Sequence, residues 1–333
     1  MKKKLNLGKV NREILEKSIL PFTALDDEDI ILGPCVGEDA AIVKNRSKYT
    51  IVSTDPITTG GRESGWLAVH ISANDVAVTG GKPRWFLSTI LLPDGFSETD
   101  LENITMQICK AAKEINVSII GGHTEVVQGI KNAMIIGTCI GTTDRYIKTQ
   151  GANPGDQIIL TKGAGLEGSL ILANEYREKI TLNISNEKIL DNLETLKNSI
   201  SVVPEANYLS QIQGVTSMHD PTEGGVFLGL HEIADSSGNG LQINLSKIYV
   251  PEIVREICEC LVVNPYMLLS SGALLATVNK KKIQEILDDL NKLNIPTWVI
   301  GEISSSPERH MIDQNNQIQD LPRPTSDEIW RFM

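Results

Sequence analysis

The sequence predicts an α+β protein of two domains, and three observations carry that reading. Its 333 residues amount to about two average domains. Helical periodicities and short β-type runs alternate along both halves. The turn signal Asn153-Pro154-Gly155-Asp156 interrupts the pattern near the middle. The expected divisions are an arm with one helix over 1–35, a first domain over 36–150, a second over 151–305 and a tail over 306–333.

In chain order, Asn11 to Leu20 reads as a helix stopped by Pro21. Ala40–Val43 and Tyr49–Ser53 are short apolar β-type runs. A helix follows over 65–79, ended by Gly80-Gly81 and Pro83. Trp85–Leu92 reads as a strand closed by Pro93-Asp94-Gly95. Ser97 to Ile115 is an amphipathic helix, with Leu101, Ile104, Ile108, Ala111 and Ile115 recurring every three or four positions. Val117–Ile120 and Ala133–Ile140 complete the first set of strands. The second half opens with strand Gln157–Thr161. It continues with helices at 165–177 and 187–199, a helix after Gly224, strand Leu241–Leu245, helix 251–260, strand Ala273–Val278, helix 280–293 and strand Thr297–Ile300.

Composition narrows the function classes. The hydrophobic fraction of 41% is that of an ordinary globular chain able to bury a core in each half. A net charge of −11 argues against a nucleic-acid binder, which needs a basic footprint. It leaves phosphate ligands open, because a divalent cation reverses the local sign. No apolar run reaches membrane-spanning length. Lys2, Lys3 and Lys4 mimic the start of a signal peptide, but Leu5 to Val10 is too short and polar to continue one. The five cysteines lack zinc-site spacing and read as reduced thiols, so the expected compartment is the cytoplasm.

The chemistry-bearing residues are acids and glycines. Asp39, in Gly37-Glu38-Asp39-Ala40-Ala41, sits among small residues that leave room for a ligand; alone it is equally a turn acid. Asp55 follows the run Tyr49–Ser53, a usual placement for a Mg²⁺ ligand and also for a turn starter before Pro56. Asp75 lies in the row Leu67, Ile71, Asp75, Val78 of a helix whose opposite row, Trp66, Val69, Ala73, Val76, is apolar too. A carboxylate there is costly unless paired or metal-bound, and Asn74 beside it adds a neutral oxygen. Gly121-Gly122-His123-Thr124-Glu125 offers close backbone approach to a phosphate, with His123 either a contact or a core residue. Met218-His219-Asp220-Pro221-Thr222-Glu223-Gly224-Gly225 places an acid and two glycines just ahead of a helix, where N–H groups can face phosphate oxygens. Gly163-Ala164-Gly165-Leu166-Glu167-Gly168 fits G-x-G-x-x-G, but the second strand ending in an acid about 20 residues on, which a dinucleotide fold needs, is missing. The chain shows no Walker A lysine loop and no nucleophile elbow. Dispersed acids with glycine-rich turns point to metal–nucleotide chemistry.

Five of these motifs occur in the order found in the aminoimidazole ribonucleotide (AIR) synthetase superfamily: Gly37–Ala41, Ser53-Thr54-Asp55, Ala73-Asn74-Asp75-Val76-Ala77, Gly121-Gly122-His123-Thr124 and His219–Gly225. The chain resembles that superfamily over roughly residues 30–305, and its HypE branch most, through His219–Gly225 and Ile300-Gly301-Glu302-Ile303. The resemblance implies a PurM-like fold: an N-terminal domain whose four-stranded sheet pairs with its copy in a homodimer, beside a C-terminal α/β domain with a mixed sheet. It implies ATP in the cleft, Mg²⁺ on Asp39, Asp55, Asp75 and Asp220, and nucleotide contacts from Thr54, Asn74, Gly121, Gly122, Thr124, Gly163 and Gly165. Asp220 and His123 take the catalytic places, on a small-molecule acceptor, with a maturation protein as a further partner. Two departures matter. His123 stands where HypE and the kinase members usually carry Asp, which leaves it a phosphate contact more than a metal ligand. HypE carries its carbamoyl group on a C-terminal cysteine, and this chain has none after Cys260, so dehydration of a thiocarboxamide is not expected. The competing readings are a thiamine-monophosphate-kinase-like phosphotransferase, disfavoured by Pro221-Thr222-Glu223, and a nucleotide-binding partner with little turnover.

Overall fold

The computed structural model describes residues 8–9, 12–22, 28–32, 42–58 and 61–332. Two compact units result, Met1–Ala77 with Gly81–Arg145, and Val78–Gly80 with Tyr146–Met333.

The first unit contains β1 (Gly8–Lys9), α1 (Arg12–Ser18), β2 (Ile30–Leu32), β3 (Ile42–Val43), β4 (Tyr49–Ile57), α2 (Ser64–Val78), β5 (Lys82–Pro93), α3 (Glu98–Glu114), β6 (Ser118–Val127) and β7 (Met134–Thr143). Four long strands and the short β1 form one sheet in the order β1-β6-β5-β7-β4. Parallel β5 and β6 are joined through α3, and β7 returns antiparallel to both β5 and β4. Helix α3 starts where expected: the Ser97 hydroxyl accepts from Asp100 N–H, and the helix ends ahead of left-handed Asn116. Helix α2 is buried nearly all round, with Trp66, Leu67, Ala68, Val69, Ala73, Val76 and Ala77 each at most 2% exposed. It lies so close to the sheet that a Cβ on Gly137 would come within 2.5 Å of Ala68 O, and one on Gly141 within 2.3 Å of Val76 Cγ1.

Several strands run further than the sequence predicts, and in β4 and β6 the extension takes in expected site residues. Strand β4 continues through Asp55 and Pro56 to Ile57, so Asp55 lies within the strand rather than after it. Proline is tolerated because β4 is an edge strand, where a missing N–H breaks no second ladder. Strand β6 continues to Val127, so Gly121-Gly122 lies within the strand rather than after it. The glycine is needed for close approach: a Cβ on Gly122 would sit 2.4 Å from Ser88 O on β5.

The second unit contains β8 (Gln157–Thr161), α4 (Leu166–Glu175), α5 (Arg177–Ile180), α6 (Asn186–Asn198), α7 (Val203–Ser210), β9 (Val215–His219), α8 (Gly225–Ser237), β10 (Gly240–Asn244), α9 (Glu252–Leu261), β11 (Leu275–Val278), α10 (Ile283–Lys292), β12 (Thr297–Ser304), β13 (Arg309–Ile312) and β14 (Ile318–Asp320). Its seven-stranded mixed sheet runs β14-β13-β10-β12-β8-β11-β9. The expected helix at 165–177 ends at Glu175 and is followed by the separate turn α5, and the expected helix at 280–293 opens with a 3₁₀ turn, Lys280–Lys282. Strand β13 joins the sheet parallel to β10, and the segment after β14 folds back along α8, burying Leu321 and Ile329. Among the described residues no helix is long and apolar enough to cross a membrane.

Candidate functional site

In the first unit Asp75 of α2 meets Ser53 of the edge strand β4. Burial alternates along β4: Ile51, Ser53, Asp55 and Ile57 face the helix side, while Thr50, Val52, Thr54 and Pro56 face outward and are exposed. The Ser53 hydroxyl donates to Asp75 Oδ2 at 2.5 Å. Asp55 is two residues along on the same face, so a single strand register brings Ser53 and Asp55 under α2. Asn74, next to Asp75, is fully buried. The charge of Asp75 is felt locally: the Cys139 thiol, opposite Ser53 on β7, is pushed up to about 12, mainly by burial and further by Asp75. Cys139 therefore stays a protonated thiol, and the donors left at this corner are carboxylate, hydroxyl and amide oxygens. That set suits a hard cation such as Mg²⁺ and not a thiolate-bound metal.

The structure separates other expected site residues from this corner. His123 pairs in register with Thr89 and Ile136 across β5 and β7, a row that includes outward-facing Pro56. It is exposed on the sheet face away from α2, where Nε2 lies 3.3 Å from Glu125 Oε2. Thr54 shares that outer face, with its hydroxyl donating to Gly137 O at 3.0 Å and lying 2.9 Å from Thr138 Oγ1. Thr124 points the other way and is buried. Asp39 lies outside the described residues. Among those described, no three His, Cys, Asp or Glu side chains lie close enough together to hold a metal ion.

In the second unit Asp220, 4% exposed, follows β9 directly. The turn from Asp220 into α8 ends in two consecutive left-handed glycines, Gly224 at φ +77° and Gly225 at φ +62°. A Cβ on Gly225 would strike Leu268 O at 2.6 Å and Tyr266 O at 2.7 Å, so only glycine fits. In the G-x-G-x-x-G loop, Gly165 N–H donates to Ser270 Oγ at 2.8 Å, Ala164 N–H to Tyr249 O at 3.0 Å and Gly168 N–H to Leu269 O at 2.9 Å. Gly163 and Gly165 thus shape a tight turn, and the Gly165 N–H is already engaged inside the unit.

Sequence reasoning missed two groups here. Glu167 is 5% exposed at the start of α4, and its carboxyl is pushed up to about 7, mainly by burial and further by the carboxylates of Asp327, Asp220 and Glu223. An acid embedded in the otherwise uncharged run from Gly163 to Ala173 was the available signal. Lys162 and Glu205 form a buried ion pair at 2.7 Å, and Lys162 also donates to Ser201 O at 2.7 Å. Burial holds the Lys162 ammonium below its usual range against the opposing pull of Glu205. No periodicity links two residues from different elements, so that pair had no local signal.

Comparison with known proteins agrees with the fold. Residues 37–143 match the AIR synthase related protein N-terminal domain, and residues 153–313 match the C-terminal domain of the same family. A putative hydrogenase expression/formation protein of Methanocaldococcus jannaschii is 30% identical over 292 residues, covering 86% of this chain and 84% of the relative. The carbamoyl dehydratase HypE of Cupriavidus necator is 31% identical over 278 residues, 81% of this chain and 75% of that protein. Among solved structures, the hydrogenase maturation protein HypE in complex with ATP superposes with a TM-score of 0.81 at 23% identity, over 95% of each chain.

Proposed function

This chain belongs to the AIR synthase related family, and on that premise we propose that it binds Mg²⁺–ATP and uses it to phosphorylate, and so activate, an oxygen of a small acceptor. The observation that carries the reading is the Ser53–Asp75 hydrogen bond between β4 and α2, with Asp55 two residues further along the same face of β4. Asp55 and Asp75 would hold Mg²⁺ in the first unit, with Asp39 as a further ligand, and Asp220 would hold Mg²⁺ in the second. Bound Mg²⁺ would neutralise the phosphates and orient the γ-phosphoryl group for attack. Ser53 then fixes the Asp75 carboxylate as an acceptor, and buried Asn74 supports it from the same turn of α2. His123, exposed on the opposite sheet face, would meet a phosphate only if that face also borders the nucleotide.

The relatives support the nucleotide half of the proposal: a HypE of the same fold was solved with ATP, and another is a carbamoyl dehydratase. The test is titration calorimetry of the protein with ATP, with and without Mg²⁺, followed by ADP release in the presence of candidate acceptors. Mg²⁺-dependent binding is the expected result. Its absence would remove the proposal, and binding without turnover on any acceptor would favour the non-catalytic reading.

The outer face of the first sheet supports self-association. Val52 is 60% exposed, and Leu87, Leu91, Ile136 and Ile140 are half-buried on the same face. An apolar sheet face of this kind serves a two-fold pairing of identical surfaces. Ile136→Asp, near the middle of that face, should weaken the dimer by about 100-fold or more, read as a shift to monomer in sedimentation equilibrium. A wild-type protein that is monomeric at every concentration would contradict the pairing.

A further inference from the structure

We propose that Asp327, delivered by the C-terminal segment, is a positioning residue for the Asp220 turn. The inference rests on the reading of Asp220 as part of the Mg²⁺–ATP site. Helix α8 starts at Gly225 behind an N-cap, Gly224, that has no side chain with which to cap it, and its first turn carries no acid. Two successive left-handed glycines leave the Asp220–Gly225 turn more backbone freedom than any other residue pair would. The N-cap's own N–H is instead held from 103 residues away: Asp327 Oδ2 accepts the Gly224 N–H at 2.7 Å. Its Oδ1 accepts Ile329 N–H at 2.8 Å. One carboxylate, 3% exposed, therefore bridges the motif turn and the C-terminal segment.

The segment that carries Asp327 is itself fastened to α8. Arg309 donates to His231 Nδ1 at 3.0 Å, which leaves the ring proton on Nε2, facing Leu321 O at 3.3 Å and Pro322 O at 3.2 Å. Arg309 and Arg323 both pair with Asp235, at 2.6 and 2.7 Å. Ile329 is fully buried, and Tyr176 donates to Phe332 O. Helix and segment thus move as one body, and Asp327 transmits that rigidity to the turn. The placement is costly, because it buries a carboxylate in range of Glu223 and of Glu167. A segment needed only for packing could bury Leu321 and Ile329 without it.

The test compares full-length wild type, Asp327→Ala, Asp327→Asn, Arg323→Ala and Asp220→Asn by amide hydrogen exchange without nucleotide, Mg²⁺–ATP calorimetry and thermal unfolding. Asp327→Ala should speed exchange over Gly224–Phe227 about tenfold and weaken Mg²⁺–ATP about tenfold. Asp327→Asn, which keeps one acceptor oxygen, should lie between, and it carries the comparison if the alanine variant does not fold. Arg323→Ala removes one exposed ion pair of the same segment while Arg309 keeps Asp235 paired, so it should move both readouts far less than Asp327→Ala does. Unchanged exchange at Gly224 in both Asp327 variants overturns the proposal. So does unchanged Mg²⁺–ATP affinity in folded Asp327 variants when Asp220→Asn has lost it. A wild type and Asp220→Asn that bind Mg²⁺–ATP alike would instead refute the site assignment of Asp220.

Discussion

Asp75→Asn should lower Mg²⁺-dependent ATP affinity by about 100-fold or more, while the nucleotide-free protein should stay at least as stable as wild type. The magnitude follows from the role proposed for Asp75. Residues that only orient a metal ligand typically cost about 10–100-fold when removed, so a ligand itself belongs at or beyond the upper end. Stability should not suffer, because asparagine keeps the shape and can still accept the Ser53 hydroxyl now bound at 2.5 Å. The substitution also removes a charge held against a helix that is otherwise buried on every side. The two readouts therefore move apart, which a merely structural acid would not allow. Thermal unfolding checks this in one experiment. Wild type with ligand at about 100 times its Kd should gain about 2.7 kcal/mol, and Asp75→Asn should gain almost nothing at the same concentrations. A full Mg²⁺–ATP shift in the variant would show that Asp75 does not hold the metal.

Asp75 was legible in the sequence because helix α2 is apolar in every direction, and a carboxylate in such a helix has no cheap structural explanation. The Asp220 turn was legible for a related reason: Pro221 and two glycines can only be a turn, and α8 begins at Gly225. Glycine and proline misled elsewhere. Pro56 read as the end of a strand but sits within an edge strand, where its missing N–H faces no partner. Gly121-Gly122 read as a place of close approach to a phosphate beyond the end of a strand, whereas it lies within β6 and the small size of Gly122 answers the approach of Ser88 on the next strand. In both cases the residue met a cross-strand constraint that local pattern does not contain. Because both strands run on, strand alternation puts His123 and Thr54 on the sheet face away from Asp75. Contacts of long sequence separation, such as Asp327 with Gly224 and Lys162 with Glu205, left no local trace.

Glu167→Gln should stabilise the protein at pH 8 by on the order of 3 kcal/mol and flatten its stability between about pH 4.5 and 7. Glu167 is buried at the start of α4, and its carboxyl sits up at about 7, where an exposed glutamate ionises near 4.5. A raised carboxylate pKa means that the folded state binds the proton more tightly than the unfolded chain does. The stability it contributes is complete below the unfolded value and drains away as pH rises through the folded value. Asp327, pushed up to about 6 from 3.8 by burial, adds a loss of the same sign at slightly lower pH. Above neutrality wild type thus carries a desolvated negative charge beside Asp220 and Glu223, and glutamine mimics the protonated form without that cost. Bound Mg²⁺ would act in the opposite sense, compensating the charge and restoring stability at high pH only while Glu167 is ionised. Denaturant unfolding from pH 4.5 to 8, with and without Mg²⁺–ATP, separates these terms. Parallel pH curves for wild type and Glu167→Gln would mean that Glu167 carries no strained charge. A variant with a flat curve but the wild-type Mg²⁺–ATP affinity would assign the acid to stability alone and leave nucleotide binding to the aspartates.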